Sequence, residues 1–210
     1  MPQRPSARLS AALALGVIVL SFSPLPATAD DAAEAAALVA EVRQKFTLEG
    51  KTIPPEIFRD FGDGDMADSG DIWVTVDLKA AIGSNLYFDE IKQDGSWIRQ
   101  KSTSNETTGY TYVGTTENGL LVVQSAFSGG GSGNFMHLHI LDVAAAPAFD
   151  FDGNLYQRIN LTNLRSIPLG DRWGGEISID KNTITVVTVR ANSTDDSGVP
   201  RTRTIEAKRP

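Results

Sequence analysis

The stretch YTYVGTTENGLLVVQSAF, Tyr110 to Phe127, reads as two strands around one turn. Asn118-Gly119 tolerates the positive φ that a tight hairpin turn demands. The aromatic and β-branched residues on either side suit extended backbone. The assignment is Tyr110–Thr116 and Leu120–Phe127. The same pattern repeats outward. Leu86–Ile91 and Trp97–Ser102 flank Gln93-Asp94-Gly95-Ser96, and 176–179 and Thr183–Arg190 flank Asp180-Lys181-Asn182. Further strands are expected over Ile72–Leu78, Phe135–Val143, Leu155–Leu161 and Thr202–Lys208, with a turn at Asp150-Phe151-Asp152-Gly153-Asn154 and a polar loop over Asn192–Pro200. Parallel strands need long helical crossovers, and no segment between these strands suits one. The expected fold is mainly β: a single antiparallel β-sandwich or barrel of about ten short strands, with a short N-terminal helix after a signal peptide.

The helix is expected over Ala32–Phe46, where Leu38, Val42 and Phe46 recur at helical spacing behind Asp30 and Asp31 as caps. Pro54 and Pro55 suit the start of a short helical turn through Phe61. Residues 1–29 carry the marks of an export signal: Arg4 and Arg8, an apolar core from Ala11 to Phe22, then Ala27-Thr28-Ala29 at a cleavage site. That core is short for a span, which needs about 20 residues. The expected organisation is therefore a signal peptide over 1–29, a helical segment over 30–61 and an antiparallel β domain over 62–210, in the periplasm or secreted.

Cleavage would remove Arg4 and Arg8 and no acid, leaving 17 basic and 26 acidic residues and a formal charge of −9. Such a chain is a poor match for nucleic acid, whose binding rests on phosphate neutralisation. No later stretch is apolar enough to span a bilayer, so no membrane span is expected after cleavage. With no cysteine in the chain, disulfides, thiol chemistry and thiolate-bound metals are excluded.

Both histidines of the chain, His137 and His139, lie in SAFSGGGSGNFMHLHIL, Ser125 to Leu141. The glycines read as a hairpin loop; a phosphate loop would continue into a lysine and a helix. Two residues apart on a strand, the imidazoles share a face and could share a zinc ion, given one or two more ligands. Pairing Phe127 with Asn134 sets Gln124 opposite His137 and Val122 opposite His139. That face then offers no adjacent carboxylate, and the core side consists of Leu121, Val123, Met136, Leu138 and Ile140. A second candidate is the acidic run from Asp60 to Asp71, where Asp63, Asp65, Asp68 and Asp71 suggest calcium without matching the EF-hand loop. A third is a stacking surface for a sugar built from Trp97, Tyr110 and Tyr112. Ser132 lies between glycines but lacks the elbow of a serine hydrolase.

Four stretches, FTLEGKTIPPEIFRDF, DIWVTVDL, YVGTTENGLLVVQSAFSGGGSG and IPLGDRWGGEISID, resemble segments of uncharacterised exported bacterial β-rich proteins. The resemblance runs over most of the chain after residue 29. It implies a bacterial envelope or secreted location and transfers no site. The leading expectation is an exported soluble β domain acting as a binding or structural module of the bacterial envelope, with no cofactor, whose partner is a protein, a glycan or a small molecule. The alternative is a metal-dependent hydrolase built on His137 and His139.

Overall fold

The computed structural model describes residues 29–62, 73–83, 90–102, 104–190 and 200–209. The export segment, the aspartates Asp63, Asp65, Asp68 and Asp71, and most of the expected strand at Leu86 and loop at Asn192 lie outside the described residues. The chain opens with α1 (Ala29–Lys45), a small hairpin β1 (Thr47–Leu48) and β2 (Lys51–Thr52), and α2 (Ile57–Gly62). β3 (Val74–Asp77) runs directly into α3 (Leu78–Gly83), a short helix that the alternating pattern of Ile72–Leu78 does not foretell. Then follow β4 (Lys92–Asp94), β5 (Trp97–Lys101), β6 (Thr107–Thr115), β7 (Leu121–Ser128), β8 (Phe135–Phe149) and β9 (Leu155–Asp171). The last three are β10 (Gly174–Asp180), β11 (Thr183–Arg190) and β12 (Arg201–Glu206).

Among the described residues, an antiparallel sheet of seven strands runs in the order β3-β9-β8-β7-β6-β5-β4, and β10-β11-β12 form a second, three-stranded sheet. The edges β3 and β4 of the large sheet do not pair with each other, so the sheet stays open and no barrel closes. Both of its faces are covered. On one face Leu121, Val123, Leu141, Val143, Ile159 and Leu161 pack against Leu38, Val42, Phe46, Phe58 and Phe61 of the helical segment. On the other, Leu120, Val122, Leu138, Ile140 and Ile167 pack against Ile184, Val186 and Ile205 of the small sheet. The result is three layers, helices, large sheet and small sheet, with the central strands buried on both sides.

Hydroxyl groups of the sheet fasten the helical layer. Tyr110 donates to the Ile53 carbonyl just before α2 at 2.9 Å, and the Tyr112 and Thr115 hydroxyls both reach the Arg43 carbonyl in the last turn of α1. The Asn118-Gly119 turn fastens the other side. Gly119 takes φ +83°, the Asn118 amide N–H donates to Asn182 Oδ1 and its side-chain NH2 to the Ala207 carbonyl, each at 2.8 Å. The turn of the large sheet is thereby bound to the small one.

The expected strands need two corrections, one of length and one of register. β8 and β9 are far longer than Phe135–Val143 and Leu155–Leu161, and pair along Phe135–Phe149 up to the expected turn, where Asp150 Oδ1 accepts from the backbone of Asp152 and Asn154. The β7–β8 register is one residue from the expected one: Phe127 faces Phe135, Ser125 faces His137 and Val123 faces His139. Asn134 is unavailable to Phe127 because its N–H donates to Asp171 Oδ1 and its carbonyl accepts from Arg172. Consequently Leu121 and Val123 share the helical face with the histidines, while Met136, Leu138 and Ile140 face the small sheet. A one-residue slip exchanges the two faces of a strand.

Candidate functional site

His139 sits at the centre of the helical face with no solvent exposure. Its ring lies 5.2 Å from that of Phe58 and 6.0 Å from that of Phe61, both on α2. Nε2 is 2.7 Å from Ser125 Oγ on β7, and Nδ1 is 2.8 Å from Ser166 Oγ on β9. The direction of each bond follows from counting protons. Ser166 has one hydroxyl hydrogen, and the Phe61 carbonyl at 3.1 Å can only accept it. Ser166 Oγ therefore accepts from the Asn163 side-chain NH2 at 2.8 Å and from His139 Nδ1–H. Nε2 keeps its lone pair and accepts from the Ser125 hydroxyl. The imidazole is neutral with both nitrogens engaged, and burial, followed by the neighbouring His137, pushes its pKa down to about 3.

A break in the β8–β9 ladder makes this network possible. Ile140 pairs with Arg165 and Leu141 with Asn163, so Leu164 is the extra residue of a bulge. Asn163 and Ser166 would lie on opposite faces of a regular strand; across the bulge they share one and bond to each other.

His137 shares the face of His139, with ring centroids 6.1 Å apart, as strand geometry requires. It is half-buried, and burial lowers its pKa below the ordinary histidine value. A metal at His139 would have to displace Ser125 or Ser166 from its ring. Among the described residues no group of three His, Cys, Asp or Glu side chains lies together in a way that would hold a metal ion. Ser125 donating to a histidine resembles the nucleophile and base of a hydrolase. Behind the imidazole, however, stands a neutral hydroxyl rather than a carboxylate, so an imidazolium formed there would be buried without a counter-charge. The geometry fits a core histidine that fastens β7 and β9 to α2.

The expected stacking surface is divided by the sheet. Tyr110 and Tyr112 belong to the helical face, where Phe46 stacks on Tyr112 at 5.4 Å and meets Tyr110 edge-on at 5.2 Å. Ile98 faces Tyr110 across β5 and β6, so its neighbour Trp97 projects from the opposite face, where Arg99 lies 4.9 Å over its ring. The three aromatics do not form one surface.

Beside His137 the same face carries a cleft of about 210 Å³ between α2 and the ends of β6, β7 and β8. Thr108, Ser125 and His137 line it together with Phe58, Phe127 and Phe135. Arg59 of α2 stands at the edge, paired with Glu106 at 3.1 Å. Thr108 is 1% exposed, and its Oγ1 has no hydrogen-bond partner. Thr108, Phe127 and Phe135 form one cross-strand row, and Phe58 and Arg59 of α2 line the cleft beside it. Reading the sequence did not single out Thr108, Ser125, Ser166 or Arg59. Thr108, Ser125 and Ser166 are brought onto one face by the pairing of β6, β7, β8 and β9, and Arg59 reaches the cleft from α2. Comparison of the chain with protein-family models, with curated proteins and with solved structures finds no match.

Proposed function

We propose that the chain is a binding module acting outside the cytoplasm, which takes a small, largely apolar molecule in the cleft between α2 and the β6–β7–β8 face. The observation that carries this reading is the Thr108 hydroxyl, buried and unpaired on a residue that lines a cleft shared with three aromatic rings. A buried polar group without a partner costs about 1–3 kcal/mol, which a ligand atom bonded to it would recover. Ligand sites commonly combine apolar walls with a few placed polar groups. Among the described residues no helix is long and apolar enough to cross a membrane.

Two measurements test the proposal. Titration of isotope-labelled protein with one-ring compounds should shift the amide signals of Thr108, Ser125, Ala126 and His137 together. No shift at millimolar benzoate, toluene or benzyl alcohol would reject the binding site. Fractionation of a bacterial host expressing the full chain should place it outside the cytoplasm with Asp30 as its first residue, and cytoplasmic chain that keeps residues 1–29 would reject export.

A further inference from the structure

Resting on the reading of this cleft as a binding site, we infer that its ligand is a small carboxylate whose apolar body is about the size of one ring, held with its body against Phe58, Phe127 and Phe135 and its head towards Arg59. Size comes first. A cavity of about 150 Å³ accepts benzene. The cleft, at about 210 Å³, has room for such a ring and a group the size of a carboxylate. The three phenylalanines supply faces and edges against which a ring packs.

Chemistry of the polar lining selects the head. Arg59 is a cation that only donates, with five N–H groups, and the neutral His137 and Thr108 can each donate one more. No described residue lining the cleft is an acid. A site so rich in donors matches a carboxylate, which only accepts, better than an amine or an ammonium group. Glu106, bound to one nitrogen of Arg59 at 3.1 Å, leaves the guanidinium with further donors. Thr108 gives the second, independent sign of a ligand, since its buried hydroxyl lacks a partner in the protein itself.

Calorimetric titration with benzoate, and with benzyl alcohol as its uncharged counterpart, tests the inference on the chain without residues 1–29. Benzoate should bind more tightly than benzyl alcohol. Arg59→Gln should weaken benzoate about tenfold, the size expected for losing a hydrogen bond to a charged group, and leave benzyl alcohol within about twofold. Glu106→Gln, which frees the guanidinium from its competitor, should tighten benzoate. The two variants move affinity in opposite directions, so a general loss of folding cannot imitate the pair. Equal binding of the two compounds, an equal loss of both in Arg59→Gln, or weaker benzoate binding in Glu106→Gln would overturn the carboxylate while leaving the cleft a binding site. Binding of neither compound would overturn both readings.

Discussion

His139 makes folding of this protein sensitive to mild acid. In the unfolded chain a histidine titrates near 6.5, whereas burial pushes the folded pKa down to about 3. Between those values the unfolded state binds a proton that the folded state refuses. The folded pKa is the depressed one, so the full contribution is present above the unfolded value and is lost as pH falls. The limiting slope is about 1.4 kcal/mol per pH unit. Most of the range from pH 7 to pH 5 lies below the unfolded pKa, and integration gives a loss of about 2 kcal/mol from this group alone. The half-buried His137 acts in the same direction.

Urea unfolding at pH 5, 6, 7 and 8 measures this directly, with His139→Gln as the comparison. The glutamine amide can still accept from Ser125 but does not titrate. The variant should be less stable than the wild type at pH 7, and the gap should narrow by about 2 kcal/mol on reaching pH 5. Glu41 and Asp150 both have lowered pKa values, so their contributions are lost further into acid and are common to both proteins. Parallel stability curves would refute the reasoning, because they would mean that His139 reaches its proton while folded. Nitrogen NMR gives an independent check: Nδ1 should carry the hydrogen throughout, with no titration between pH 5 and pH 8.

Three further substitutions probe other parts of the structure. Thr108→Val, nearly equal in shape, should raise the stability of the ligand-free protein by about 1 kcal/mol by removing an unpaired buried hydroxyl; a fall in thermal midpoint would show that the hydroxyl is satisfied. Tyr110→Phe strips the Ile53 carbonyl of its donor and should cost about 1–3 kcal/mol in chemical unfolding, whereas an unchanged midpoint would mean that α2 is not held there. Gly175→Ala would set a Cβ 2.1 Å from the Val187 carbonyl oxygen and should cost about 1–3 kcal/mol; wild-type stability would show that the β10–β11 edge gives way freely.

Turns were the most legible feature of the sequence, because their chemistry is local. Asp94 pairs with Trp97 around Gly95-Ser96, Asp180 with Thr183 around Lys181-Asn182, and Gly119 supplies the positive φ beside Asn118. Strand length was less legible. Ala144-Ala145-Ala146-Pro147-Ala148 has little strand propensity of its own, yet it extends β8 because every residue from Ala144 to Ala148 finds a partner on β9. Layering was hidden for a related reason. Leu120, Leu121, Val122 and Val123 are all without solvent exposure, since the large sheet is covered on both faces. A run that is apolar at every position carries no alternation from which to read its inward face.

That loss of alternation also hid the site. The expected register put the histidines on a second face, away from the main core; shifted by one residue, it places them under α2 among Phe58 and Phe61. No sequence pattern in NLRSIPLG announces that the ladder skips Leu164 as well as Leu169. Yet the bulge at Leu164 decides what His139 can be. On a regular strand Asn163 and Ser166 face opposite ways, and the imidazole would lose either the hydroxyl at Nδ1 or the amide that supports it. With the bulge, each hydroxyl hydrogen and each ring nitrogen in the network has an assigned partner, and the histidine is held neutral. The chemistry that the His-x-His pair suggested is thereby taken up in fastening β7, β9 and α2 together. In the adjoining row Thr108 keeps a buried hydroxyl without a hydrogen-bond partner, and it is there that the proposed ligand would bind.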